Sequence, residues 1–264
     1  MKLFPEKIES CHSPLISKSF YRTLPRYVIE VIRIELTKRP KNPIIIEGFP
    51  GFGLVGTITT EYLIEHLSTE MIGKFWFEEM PAAVAIHKGK LIPPIEVHYC
   101  KKHNMVIVHA LASPNGVEWK MADMMSNLAS DLKAKEIISL EGIAGDSESG
   151  KSFFYTTRPK NTEKLKSVAK PIEESIVLGV SGALLLKEKK TPMTAFFVET
   201  ASNLPDSRAA ADMVKLLDKY LGLSVDPKPL LKTAKEFEDK LKGILQNSKK
   251  VTEDNKSNRL DYFG

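Results

Sequence analysis

Apolar residues in this chain gather in short β-branched runs that alternate with segments of helical spacing. Pro43-Ile44-Ile45-Ile46-Glu47-Gly48 reads as a buried strand. It runs into the glycine cluster Phe49-Pro50-Gly51-Phe52-Gly53-Leu54-Val55-Gly56, and helix-forming sequence follows from Thr57 to Leu67. The four residues Gly48, Gly51, Gly53 and Gly56 allow positive φ and close backbone approach, so they predict a tight strand-to-helix passage. Residues 27–36 look like an earlier strand, with charges at 30, 33 and 35 that spoil the alternation. Segments 71–77, 83–87, 96–100 and 104–111 read as further strands.

The span 117–132 is amphipathic at helical spacing, with Met121, Met124, Met125, Leu128 and Leu132 on one side. Strands follow at 136–142 and 153–156, and a helix at 164–168. Ser175-Ile176-Val177-Leu178-Gly179 is strand-like and leads into Val180-Ser181-Gly182-Ala183-Leu184-Leu185-Leu186, a second strand–glycine–helix unit. Residues 193–199 form the last strand. A helix then starts after Pro205-Asp206 and stops near Leu221, with Gly222 as its C′ residue. Asp226-Pro227 starts another, with Asp as N-cap and Pro at the first helical position, reaching about residue 245.

Alternation of strands and helices predicts an α/β domain, with a mostly parallel or mixed sheet flanked by helices. The chain divides into an N-terminal extension (1–26), this domain (27–245) and a tail (246–264). From Gln246 to Arg259 the only apolar residue is Val251, too little apolar surface to offset ordering entropy, so the tail is expected to be disordered. It ends in Leu260-Asp261-Tyr262-Phe263-Gly264, an aromatic tip on a polar tether.

Composition adds exclusions. With 264 residues and 42% hydrophobic content the chain sustains a globular core. Its net charge of +5 is spread out, with no basic stripe and interleaved aromatics, so nucleic-acid binding is unsupported. Cys11 and Cys100 form neither a metal-site spacing nor a disulfide framework. No histidine pairs at i, i+4 with another metal ligand on a helix, so no metal is expected. No secretory leader or membrane-length apolar run is visible, so the chain is expected to be cytoplasmic, with no membrane partner.

Three motifs bear on chemistry. Gly51-x-Gly53-x-x-Gly56 matches the dinucleotide fingerprint after a strand and before a helix, with Glu78 or Glu79 available as the acid of the next strand. Phe49 and Pro50 inside the turn, and its early start at Gly48, favour a structural turn instead. Ser181 in Gly179-Val180-Ser181-Gly182 approximates a nucleophile elbow, but the second glycine comes one place early. Glu141 and Glu199 end strands, where open α/β sheets bind ligands.

The motifs Gly48-Phe-Pro-Gly51-Phe-Gly53, Gly179-Val-Ser-Gly182-Ala-Leu-Leu, Pro205-Asp-Ser-Arg-Ala-Ala-Ala211 and Leu221-Gly-Leu-Ser-Val-Asp-Pro-Lys-Pro-Leu230 follow one another over some 200 residues. Together they resemble the proteasome assembly chaperone family in its archaeal form. That resemblance implies an α/β fold similar to nucleoside phosphorylases without their catalytic residues, no cofactor, and self-association into a homo-oligomer. It also implies docking on proteasome α-subunits or the α-ring through the C-terminal tail. The docking motif there is hydrophobic–tyrosine–any, whose free carboxylate meets a lysine. Here Leu260, Tyr262, Phe263 and the Gly264 carboxylate supply the corresponding groups, with Phe263 in place of the penultimate tyrosine. The expected function is a non-enzymatic chaperone or regulator. The alternative is a phosphorylase-like enzyme or nucleotide binder using a crevice near Gly51, Glu141 and Glu199.

Overall fold

The computed structural model describes residues 32–77, 79–80, 84–87, 89–145 and 150–232. The start of the expected 27–36 strand, most of the expected last helix, the tail, and Leu260, Tyr262, Phe263 and Gly264 lie outside these residues.

Strand β1 (Ile32–Leu36) precedes β2 (Ile44–Gly48), whose isoleucines run into the glycine turn and helix α1 (Val55–His66). Then come β3 (Thr69–Phe77) and a small hairpin of β4 (Ala85–His87) and β5 (Lys90–Ile92). The hairpin is followed by β6 (Ile95–Cys100) and β7 (Met105–Ala110). Helix α2 (Glu118–Leu132) leads to β8 (Glu136–Ala144), β9 (Ser152–Thr156), the short α3 (Thr162–Lys166) and β10 (Lys170–Pro171). Helix α4 (Gly179–Lys187), β11 (Met193–Thr200) and α5 (Ser207–Leu221) complete the order.

Nine strands form one sheet in the order β1-β3-β6-β7-β2-β8-β11-β9-β10. The central four, β7-β2-β8-β11, pair parallel, and antiparallel pairs flank them. The sheet is therefore mixed, with a parallel centre whose strands are buried on both faces. Successive residues point to opposite faces. Ile46, Ile107, Ile138, Leu140 and Phe196 pack with α1 and α5, while Ile45, Val106, Val108 and Ile137 pack with α2 and α4. The expected methionine–leucine stripe of α2 is buried in that second layer.

Helix ends follow local chemistry. Asp206 caps α5: its Oδ1 accepts from the Ala209 N–H at 2.9 Å and its Oδ2 accepts from the Thr200 hydroxyl at 2.8 Å. Gly222, at φ 68°, closes the same helix. Beyond it, the Asp226 side chain accepts from the Lys228 N–H at 3.0 Å, and residues 228–232 are helical.

One expected element differs. Residues 175–178 form no strand; they are irregular and lead directly into α4. Their β-branched sequence has strand character, but both long edges of β8 and β11 are already occupied, by β2, by each other and by β9.

The glycine turn brings α1 against the sheet. A Cβ on Gly56 would stand 2.5 Å from the Leu140 carbonyl oxygen, and one on Gly48 would overlap the Gly56 carbonyl. Gly56→Ala improves helix propensity by about 1 kcal/mol, yet the clash dominates. The expected net loss is about 1–3 kcal/mol, read as a lower urea midpoint. An unchanged midpoint would show that α1 can lift off the strand ends at no cost.

Candidate functional site

The carboxyl ends of β2 and β8 meet the first turn of α4 on the face covered by α2 and α4. Odd-numbered residues of these strands point there, and polar residues interrupt the apolar runs: Glu47 in β2, and Ser139 and Glu141 in β8. All are brought to Ser181 of α4. The Ser139 hydroxyl lies 2.5 Å from Glu47 Oε1 and 2.6 Å from the Ser181 hydroxyl. Ser181 in turn lies 2.9 Å from Glu47 Oε1 and is hydrogen-bonded to Glu141 Oε1. The Phe49 N–H donates to Glu47 Oε2 at 3.2 Å.

Proton counting constrains this cluster. Four oxygen–oxygen contacts are served by two hydroxyl protons, so carboxyl protons supply the rest. Burial raises the Glu47 pKa, against the opposing hydrogen bonds of Ser139, Ser181 and the Phe49 amide. Burial, with the neighbouring Glu47 charge, pushes Glu141 up to about 8. Near neutral pH the cluster therefore holds protons rather than two adjacent negative charges.

Above the cluster opens a crevice of about 700 Å³. Phe49, Phe52, Ile143, Ile176, Leu178 and Phe197 give it apolar walls, and Glu118, Glu141 and Glu174 bring carboxyl groups to its lining. The Glu141 Oε2 lies 2.7 Å from where a Gly51 Cβ would stand, so the absence of a side chain at Gly51 leaves room for that carboxyl. Gly53, at φ 65°, lies in the short 3-10 turn of Phe52–Leu54. A Cβ there would meet the Thr200 side chain.

The glycines Gly48, Gly51, Gly53 and Gly56 thus converge on one turn beside Glu141. Glu199 is not among the crevice lining residues: it faces Gly145 and pairs with Lys151 at 3.7 Å. Ser181 is fully buried inside α4 and aims at carboxyl groups, so it is not presented as a nucleophile elbow presents its serine. The dinucleotide arrangement is also missing its partner strand. Two strands, β6 and β7, separate β2 from β3, and Glu79 pairs with Lys120 at 2.6 Å.

Among the described residues no group of His, Cys, Asp and Glu could hold a metal ion. Three of their histidines serve local contacts: His109 with the Thr60 hydroxyl at 2.9 Å, His98 with Glu96 at 2.9 Å, and His66 stacked on Tyr62. No helix among them is long and apolar enough to cross a membrane.

Sequence reasoning picked out Glu141 and Ser181 separately and missed Glu47 and Ser139. A signal existed. Ile-Ile-Ile-Glu and Ile-Ile-Ser-Leu place a polar side chain inside runs that a doubly covered strand buries, and a buried polar group requires a partner.

Comparison with known proteins follows the same architecture. The PAC2 family model matches residues 45–245. An uncharacterized protein of Methanocaldococcus jannaschii is 30% identical over 226 residues, covering 84% of this chain and 92% of that protein. The crystal structure of Pyrococcus furiosus PbaA, described as an archaeal homolog of proteasome-assembly chaperone, superposes with a TM-score of 0.75. It is 28% identical, covering 84% of this chain and 99% of that one. P. furiosus PbaB, described as an archaeal proteasome activator, shares the fold with a TM-score of 0.67 and 23% identity. That match covers 82% of this chain and 99% of PbaB.

The acid pair predicts a pH dependence. Below the ordinary carboxyl value of 4.5, Glu141 is protonated folded or unfolded; above it, only the folded state retains the proton, up to about 8. Stability is therefore expected to fall as pH rises across that window and to level off above it. Glu141→Gln should flatten part of this fall in urea titrations at pH 5, 7 and 9. An equal slope in both proteins would place the proton elsewhere.

Proposed function

The chain belongs to the PAC2 family, and we propose that it is a non-enzymatic, homo-oligomeric proteasome assembly chaperone or regulator acting in the cytoplasm. The observation that carries this reading is the likeness to PbaA across most of both chains, at an identity that extends beyond fold alone. The site's chemistry is consistent with it. Ser181 and the two carboxyl groups satisfy one another, and Ser181 is buried, so Ser181 is not presented to the crevice as a nucleophile.

The partner in this reading is the proteasome α-ring, or α-subunits before the ring closes. Docking is assigned to the C-terminal segment, with Leu260 and Tyr262 as apolar contacts, Phe263 as the penultimate aromatic and Gly264 as the carboxylate. A random-coil linker of about 14 residues, the length of segment 246–259, spans on the order of 20 Å in root-mean-square terms. Several tails on one oligomer raise the effective concentration of each and convert weak single contacts into stable attachment.

A second reading follows from the crevice. Its size and apolar walls suit a small organic molecule. Nucleosides and nucleotides are the ligands to screen by thermal shift, since a ligand that binds only the folded state raises its apparent stability. Under the chaperone reading none of them moves the melting temperature.

The decisive test is binding to purified archaeal proteasome α-subunits. The full chain should bind, and a variant lacking residues 260–264 should lose binding while keeping its circular dichroism spectrum and oligomeric state. Phe263→Ala should weaken binding about tenfold or more, as expected for a buried aromatic anchor. Equal binding by the full and truncated proteins would remove the tail from the mechanism.

A further inference from the structure

Lys151, Lys166, Lys170, Lys215 and Lys219 lie far apart in the sequence, and the fold gathers them around one depression of about 460 Å³. They come from four places: the residue before β9, the end of α3, β10 and the outer face of α5. All five are exposed, and among the described residues Asp212 is the only acid in the lining. Lys215 pairs with that Asp212 at 2.7 Å, Lys166 with Glu163 at 2.9 Å and Lys151 with Glu199 at 3.7 Å. Lys170 and Lys219 pair with no acid among the described residues. Lys215 and Lys219 are one helical turn apart, where like charges repel. A concave surface lined by one sign of charge focuses its potential and attracts the opposite sign.

A second basic depression, of about 670 Å³, lies at the other end of β9. Arg158, Lys160, Lys189 and Lys190 line it together with Glu188. The Glu188 carboxylate is already engaged, accepting from the N–H groups of Lys190 at 2.6 Å and Thr191 at 2.7 Å. Lys151 stands just before β9 and Arg158 just past it, so the two depressions are roughly 20 Å apart along the strand. Between them runs α3, with Lys160 shortly before its start in one depression and Lys166 at its end in the other. No aromatic side chain is among the lining residues of either depression, so a nucleic-acid strand finds no ring there to stack on. A stiff duplex cannot enter two separate hollows, and a compact anion fills only one.

We propose that this edge binds an extended acidic segment of a partner protein, running along α3 from one depression to the other. About seven residues of extended chain span that distance. Alternate side chains of such a segment return to the same side about every 7 Å. Lys215 and Lys219 are spaced about 6 Å along α5, so carboxylates on alternate residues meet successive lysines. Lys170 and Lys219, which have no acid of their own, gain one each. Contacts of this kind steer the encounter and select an acidic partner, and they are screened by salt. The surface lies on β9, β10, α3 and α5, and its binding does not depend on whether the C-terminal tail docks.

Fluorescence anisotropy of a labelled peptide of alternating glutamate and serine, about twelve residues long, reads binding to the full chain. The peptide should bind at low salt and lose at least about tenfold in affinity in half-molar salt. Lys170→Glu/Lys219→Glu should weaken low-salt binding at least about tenfold, with an unchanged circular dichroism spectrum. Lys101→Glu/Lys102→Glu makes the same change of charge in the turn between β6 and β7 and should leave binding unchanged. A short DNA duplex should bind more weakly than the peptide. Absence of peptide binding, or equal losses in the two double variants, would overturn the proposal. Duplex binding at least as tight as the peptide's would overturn the choice of an acidic protein segment.

Discussion

The structure depends on how closely the backbone of α1 approaches the ends of β2 and β8. Gly48 touches the Gly56 carbonyl, and Gly56 touches the Leu140 carbonyl, with no side chain between. That contact fixes the height at which α1 crosses the sheet. Ile58 and Leu63 can then sink into the layer shared with α5, where Ala209, Ala210 and Ala211 present a smooth surface. On the opposite face of the same strand ends, the space is taken by a polar cluster. The two faces are linked because both are set by where β2 and β8 stop.

The Glu47–Ser139–Ser181–Glu141 cluster fastens α4 to those strand ends by hydrogen bonds rather than apolar packing. A buried polar cluster of this kind contributes little net stability and much geometric definition, because only one arrangement satisfies all its members. The start of α4 is therefore positioned sharply, while the segment before it, 175–178, joins no strand and exposes Ile176 and Leu178. A well-fixed helix carrying an unpaired, exposed lead-in is a frame that displays that lead-in.

Much of the architecture was legible in the sequence. The β-branched runs named the central strands, the spacing of Met121, Met125, Leu128 and Leu132 gave the buried side of α2, and Asp206 and Gly222 gave both ends of α5. Local chemistry determines these features, so local reasoning reaches them. Residues 175–178 misled because β propensity reports fitness for a pleated surface, and whether a neighbouring edge is free depends on the whole sheet. The site was half legible for the same reason. Glu141 stands at a strand end where acids draw notice, but Glu47 and Ser139 acquire meaning only once β2, β8 and α4 are side by side. Glu199, also at a strand end, is turned away to Lys151, a matter of side-chain direction that spacing does not encode.

The place of β2 in the sheet has a consequence for how the chain is made. β2 is synthesised early, yet its neighbours are β7 and β8, the second of which begins only at Glu136. At about 5–20 residues per second, its isoleucines wait on the order of ten seconds on a growing ribosome-bound chain before their second edge is covered. Sheet closure is correspondingly non-local and slow compared with helix formation. A nascent chain in this state offers a sticky, half-paired strand to other nascent chains, so a protein proposed to oversee the assembly of others is itself exposed to early misassembly.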